Sequence, residues 1–340
     1  MVRVGVIGCG YWGPNIIRNF NEIEGADLAW CCDLDSNKLK DTKNKYPYIK
    51  VSGDYNDILN DRDVDAVAVV TPPDTHYKIA KDSLLKGKHV LVEKPITFDV
   101  NQAEDLVETA KKTGRILMVG HTFEFNPAVI KAREYINTGA IGDVYYIVSR
   151  RVNLGIIRSD INAMWSIAPH DISILIFLLG AMPLNVRAWG ASFLKQGIED
   201  VVFLNIQFPK NITAHIQVSW LDPHKIREMV IVGSKKMIVY DDIDNEGKLK
   251  IYDKGVDKVE KNLPQNSSFG EFHIRLRSGD ILIPKLPNQE PLRKECEHFI
   301  ECIRDNKKPL TDGENGLRVV KVLDAAYKSL KNNGRQVDIM

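Results

Sequence analysis

Gly8, Gly10 and Gly13 stand in the spacing GxGxxG directly after a short apolar run, Val2–Ile7, and Asp33 follows twenty residues after the last of them. The three glycines do different work. Gly8 permits a tight strand-to-helix turn, Gly10 lets backbone N–H groups approach a pyrophosphate, and Gly13 lets the helix pack close to the strand. The positive end of the helix starting near Pro14 would hold that pyrophosphate. Asp33 would accept hydrogen bonds from the adenosine ribose and repel a ribose 2′-phosphate, so the expected cofactor is NAD, with NADP second. A different chemistry is suggested by Lys94, in Glu93-Lys94-Pro95 after the apolar run His89–Val92. A lysine at the carboxyl end of a buried strand, beside Val90 and Val92, is partly desolvated, and its pKa falls towards the range of proton exchange. A surface lysine held in a turn by Pro95 is the other reading that position allows.

These groups need a sheet to carry them. Val2–Ile7, Asp27–Cys32, Ile49–Val51, Asp65–Val70, His89–Val92 and Ile116–Val119 read as strands. Helices Asn15–Ile23, His76–Lys86 and Asn101–Lys112 alternate with them, as does a lysine-rich helical stretch. Alternation of apolar strands and helices predicts a doubly wound parallel sheet of Rossmann type, with ligands beyond the carboxyl ends of its strands. Both Thr71-Pro72-Pro73-Asp74-Thr75-His76 and Glu93-Lys94-Pro95 fall at that edge. After Gly120 the rhythm changes. Helices Pro127–Asn137 and Ile167–Leu179 flank the strand Val144–Arg151. Strands then come in series: Val186–Phe193, Val201–Phe208, Thr213–Trp220, Met229–Gly233 and Met237–Tyr240. That series, with turn signals such as Pro209-Lys210-Asn211, predicts an antiparallel sheet. Helices return at Pro291–Asp305 and Gly316–Lys331. The expected domains are 1–121 and 122–340, with helix 314–332 packing back near the first.

The formal net charge of +1 draws the chain neither to nucleic acid nor to an anionic membrane. Lys38, Lys40, Lys43 and Lys45 lie among acids and read as a solvated helix face. No run of about 18 apolar residues occurs, and strand and glycine turn begin at the second residue, so a cytoplasmic protein is expected. Five cysteines without a CxxC pair suggest neither disulfides nor a common zinc motif. Glu295, His298 and Cys302 share a helix face that would permit a metal, but none is expected.

Gly8-Cys9-Gly10-Tyr11-Trp12-Gly13, Thr71-Pro72-Pro73 with His76, and Glu93-Lys94-Pro95 together resemble the motifs of the glucose–fructose oxidoreductase/inositol dehydrogenase (Gfo/Idh/MocA) family, in order and spacing. The resemblance continues through Gly120-His121 to the last helix. It implies an N-terminal Rossmann domain, a C-terminal α/β domain on a large, mostly antiparallel open sheet, and NAD(P)-dependent oxidation or reduction of a sugar, cyclitol or sugar-nucleotide carbon. It implies that Tyr11, Trp12, Thr71, Pro72, Pro73, His76, Glu93 and Pro95 join the glycines and Asp33 around the cofactor, with Thr71 and Pro72 at the nicotinamide ribose. Pro95 matches a proline that is often cis and directs the lysine. Lys94 matches the lysine that binds the reacting hydroxyl and moves its proton, and His170 matches a histidine at the start of a helix in the second domain. Family members often carry an aspartate four residues before that histidine, where this chain has Ser166, although Asp171 is adjacent to His170.

The stretch from Arg150 to Trp165 is rich in cations and amides, suited to recognising hydroxyls, a carboxylate or a phosphate. Asn153, Arg158, Asn162 and Trp165 are its candidate substrate contacts, with Trp165 equally readable as core. Asn126, before Pro127, reads first as cap and hinge and second as a substrate neighbour. The segments from Gly120 to His170 resemble family members acting on C3 of UDP-linked N-acetylamino sugars or their uronic acids. A dehydrogenase of inositol or a free monosaccharide is the alternative, and a non-catalytic NAD-binding sensor a further one. One sheet face is left to be covered, and the resemblance implies that it pairs with another subunit, as a homodimer or homotetramer.

Overall fold

The computed structural model describes residues 1–155, 157, 158, 160–258 and 274–339. In chain order the elements begin β1 (Val2–Ile7), α1 (Gly13–Glu22), β2 (Ala26–Cys32), α2 (Ser36–Lys45), β3 (Lys50–Ser52) and α3 (Tyr55–Asn60). They continue with β4 (Ala66–Val69), α4 (Pro73–Leu85), β5 (His89–Val92), α5 (Val100–Thr113), β6 (Leu117–Val119), α6 (Pro127–Asn137), β7 (Val144–Leu154) and α7 (Ala163–Leu179). Next come β8 (Asn185–Ala191), β9 (Val201–Gln207), β10 (Thr213–Ser219), β11 (Leu221–Gly233), β12 (Met237–Asp241) and β13 (Leu249–Tyr252). The last are β14 (Gly255–Lys258), β15 (Ile274–Arg277), β16 (Ile281–Leu282), α8 (Pro291–Asp305), α9 (Gly313–Lys331) and β17 (Val337–Asp338).

Two compact units share these elements. The first holds Met1–Asn126 and Asn288–Ala325. Its six-stranded sheet runs β3-β2-β1-β4-β5-β6 with every pairing parallel. The sequence explains this sheet locally. Strand β4 (Ala-Val-Ala-Val) is buried at all four positions, as expected of a strand covered on both faces. Helix α5 starts where the Asp99 side chain accepts the Gln102 N–H, and stops at Gly114 in the left-handed conformation. Helix α8 belongs to this unit although it comes more than 160 residues after β6 in the chain. Its Leu292, Cys296, Phe299 and Ile300 complete the core formed by Val4, Val6, Ile16, Ile17 and Phe20.

The second unit holds Pro127–Pro287 and Ala326–Met340. Its nine-stranded sheet runs β16-β13-β12-β11-β7-β10-β9-β8-β17. All its pairs are antiparallel except β7 with β10, which makes the sheet mixed. Helix α7 carries buried apolar residues over most of its length. Among the described residues no helix is long and apolar enough to cross a membrane.

Candidate functional site

The glycine turn meets the geometric demands made of it. Gly8 has φ +106°, and a Cβ there would stand 2.6 Å from the Val70 carbonyl oxygen, so no other residue fits without displacement. A Cβ on Gly13 would stand 2.3 Å from the Gly8 oxygen, which is the close helix–strand approach the motif requires. Gly10 faces open space. Helix α1 has no side-chain cap at Trp12 and no acid in its first turn, leaving its N–H groups and positive end available to an anion. Asp33 is pinned at the end of β2: Cys9 N–H donates to Oδ2 (2.7 Å) and Asp35 N–H to Oδ1 (2.8 Å). These residues fit a dinucleotide. Gly8, Gly10, Gly13 and the α1 N-terminus would hold its pyrophosphate, and Asp33 would meet its adenosine ribose.

The lysine turn lies at the carboxyl end of β5 in the same unit. The Lys94–Pro95 peptide is cis. Pro95 is buried, and its carbonyl oxygen lies 2.8 Å from His76 Nδ1, while His76 Nε2 lies 2.9 Å from the Thr71 carbonyl oxygen. His76 therefore bridges the two motif-bearing loops and is 1% exposed. It thereby holds Thr71 and Pro95 in place. Thr71 and Thr75 hydroxyls lie 2.6 Å apart at the mouth of α4, and Tyr11 is exposed. Trp12 reaches from the glycine turn towards the Glu93 carboxylate, where its indole N–H favours the charged acid, and the carboxylate accepts the Lys94 N–H (3.2 Å). Desolvation raises the Glu93 pKa, partly offset by the Lys94 charge.

Sequence reasoning gave no role to His121 or Glu124 near this turn, and placed Glu295 only on a helix face that would permit a metal. His121 is buried with no hydrogen-bond partner on either ring nitrogen, and burial, then the Lys94 charge, pull its pKa down to about 3. Glu124 is buried and accepts both Asn315 Nδ2 contacts, at 3.0 and 3.3 Å. Glu295 is fully buried, with Thr122 Oγ1 2.7 Å from its Oε2. The one local signal was Gly120, where a Cβ would come within 3.0 Å of the Glu93 carboxyl. Asn126 is buried and closes the short turn before Pro127 opens α6. Depressions at the amino ends of β1, β4, β5 and β6, lined in part by Arg62, Lys88 and Arg115, hold none of these residues. The candidate site of this unit is thus at the opposite, carboxyl edge.

In the second unit, α7 positions His170. Asn162 caps the helix by accepting the Trp165 N–H (3.1 Å) and donates from Nδ2 to Glu199 (2.7 Å), so this candidate substrate contact is a buried structural group. Capping starts α7 at Ala163, before the predicted Ile167, and takes Ser166 into the first turn. Trp165 is 8% exposed and lies among the buried residues of α7. Asp171, the acid beside His170, accepts from Ser149 Oγ (2.8 Å) and from Arg151 Nε (2.9 Å) in a buried ion pair. Both its oxygens are taken by β7. Arg158 pairs with Asp160, and Asn153 lies half-buried near the end of β7. His298, on α8 of the first unit, accepts the Leu310 N–H at Nε2 (2.9 Å), the atom that also lies 3.4 Å from Cys302 Sγ.

Residues 2–121 match the oxidoreductase family with an NAD-binding Rossmann fold, GFO_IDH_MocA, and residues 129–239 match the GFO/IDH/MocA C-terminal domain. The chain is 27% identical to scyllo-inositol 2-dehydrogenase (NAD(+)) of Bacillus subtilis (strain 168), over 97% of this chain and 94% of that protein. It is 26% identical to UDP-N-acetylglucosamine 3-dehydrogenase of Acidithiobacillus ferrooxidans, over 94% of each chain. The solved structure of that enzyme overlays with a TM-score of 0.81, at 23% identity over 98% of this chain and 99% of that one. A scyllo-inositol dehydrogenase from Lactobacillus casei, solved with NAD(H) and scyllo-inositol, overlays at 0.80 with 20% identity over 100% and 99% of the two chains. These overlays show the fold. With family matches over both parts of the chain and the glycine turn, Thr71-Pro72-Pro73 and Glu93-Lys94-Pro95 motifs all at one sheet edge, the chain belongs to the Gfo/Idh/MocA family of NAD-binding oxidoreductases.

Proposed function

We propose that this protein is an NAD-dependent dehydrogenase of a ring secondary alcohol, and that its substrate is a UDP-linked N-acetylamino sugar or its uronic acid, oxidised at C3. The observation that carries the reading is the coupling of the glycine turn to the lysine turn through Trp12 and Glu93, which ties a hydride-transfer cofactor site to a candidate base within one unit. NAD, when bound, supplies the ring that accepts a hydride. Lys94 accepts the hydroxyl proton at Nζ, and His170 serves as the second acid/base. The pinned Asp33 favours NAD over NADP, because a fixed negative charge at the ribose disfavours a 2′-phosphate. Arg158 and Asn153 remain the substrate contacts of this reading, and Asn126 a neighbour.

The similarity to a scyllo-inositol dehydrogenase supports a second reading, oxidation of a free cyclitol, at nearly equal identity. NADH absorbance in parallel assays with UDP-sugars, monosaccharides and inositols separates the two. Signal with UDP-N-acetylglucosamine or its uronic acid is the expected outcome, and signal only with inositols replaces the substrate. Exposed Tyr146, Trp189 and Phe203, the last stacked on His215, lie on the second unit's sheet and support assembly into a homodimer or homotetramer. An elution volume matching 38.4 kDa would count against assembly.

A further inference from the structure

Three carboxyl groups gather at the carboxyl ends of β5 and β6, and their surroundings are unequal. Glu124 receives the Asn315 amide on both oxygens. Glu93, half-buried, accepts the Lys94 N–H, has the Trp12 indole nearby, and lies in the field of the Lys94 ammonium. Glu295 on α8 is fully buried, meets Thr122 Oγ1 at 2.7 Å, and has no hydrogen-bond partner at Oε1. No ion pair reaches it among the described residues. The charges that face it, Glu93 from the end of β5 and Glu124 from the turn after β6, are both negative. Arg18, the cation on the neighbouring helix α1, is taken by Glu290 and Glu22. The positive end of α8 gives little, because Glu295 lies past the first turn and the helix field fades within it.

A buried carboxylate with one hydrogen bond, no cation and two like charges around it is strongly penalised. A neutral acid is not, since its O–H can point to Thr122 Oγ1. We propose that Glu295 is a positioning residue that carries a proton at neutral pH, so that Glu93 alone, not a Glu93–Glu295 pair, sets the negative charge felt by Lys94. Burial and the Glu93 charge both push the Glu295 pKa well above the usual carboxylate range, in agreement with this geometry. The functional meaning rests on Lys94 as the proton acceptor, whereas the protonation of Glu295 does not.

Two measurements on the full chain test this without any substrate. Infrared spectroscopy at pH 7 should show a protonated-carboxyl C=O band that disappears in Glu295→Gln. The titration of [13C]dimethyl-Lys94, its resonance assigned by loss in Lys94→Arg, should then keep its wild-type midpoint in Glu295→Gln. In Glu93→Gln the same midpoint should fall by about one pH unit, because an anion beside the ammonium is removed. Absence of a Glu295-dependent band overturns the proposal, as does a Lys94 midpoint that falls equally in both variants. Should Glu295→Gln fail to fold, Glu295→Asp keeps the acid, and the band must move rather than vanish. Failure of every sugar assay would strike the dehydrogenase reading and leave these two results standing.

Discussion

Lys94 and His170 are held by opposite means. Around Lys94 the nearby groups include two uncharged rings and an acid: His76 spans two backbone carbonyls, His121 is a buried uncharged ring, and Glu93 is a partly desolvated acid. Beside His170 the neighbouring residue is locked by a compensated charge, with Asp171 satisfied by Arg151 and Ser149. The first arrangement leaves a titratable lysine sensitive to every nearby charge. The second spends its electrostatics on fixing a helix to a strand, so Asp171 is not free to relay a proton through His170. Ser166 in place of the family's usual aspartate sharpens this point, because no other carboxylate stands at that position of α7.

The largest expected effect breaks the second arrangement. Arg151→Met leaves Asp171 buried without its cation and should destabilise the second unit by about 3–5 kcal/mol. Hydrogen exchange should quicken across β7 and α7 while β1 to β6 keep their protection. Equal loss in both units would erase the contrast. Next comes Lys94→Met, which should reduce turnover by about two orders of magnitude or more, some 2.7 kcal/mol, with NAD affinity nearly unchanged. Undiminished turnover removes Lys94 from its proposed role.

Acid should sharpen the comparison in the first unit. His121 has a folded pKa of about 3, below the ordinary value of 6.5 that holds in the unfolded chain, so unfolding takes up a proton. Its contribution is complete above pH 6.5 and is lost as the pH falls towards 3. Between pH 7 and pH 5 the loss is about 2 kcal/mol from this ring alone. His89, drawn down to about 4 by burial and Arg115, acts in the same direction. Urea unfolding followed by hydrogen exchange at the two pH values should show β5 and β6 weakening before β7. The smallest effect is Asn162→Ala, which removes the α7 cap and the bond to Glu199 at a cost of about 1 kcal/mol. Melting curves that do not move would mean that another group caps α7.

The sequence made the first sheet legible because its strands are short apolar runs ended by glycine, proline or acid, and its motifs lie at strand ends. It did not reveal α3, a six-residue polar helix started by the Asp54 side chain, since no apolar period marks it. The strands β13, β16 and β17 are too short to show a pattern. Local spacing did not show that β7 and β10 are the pair that runs parallel within the mostly antiparallel sheet, because sheet order is set by distant contacts. The buried carboxyls were hidden for the same reason. Glu124 takes the Asn315 amide from 191 residues later in the chain, and Glu295 looks like any polar position on an amphipathic helix.

The discontinuous first unit also has a consequence for synthesis. Its first 126 residues leave the ribosome without Leu292, Phe299 and Ile300, so Ile16, Ile17 and Phe20 wait with an uncovered apolar face. The 199 residues separating Asn126 from Ala325 take roughly 10–40 s to translate at ordinary rates. The Glu93-Lys94-Pro95 turn is therefore made early and buttressed late. A nascent chain stalled before α8 should bind chaperones or resist becoming protease-stable, and release of that requirement should coincide with the emergence of α8 and the start of α9.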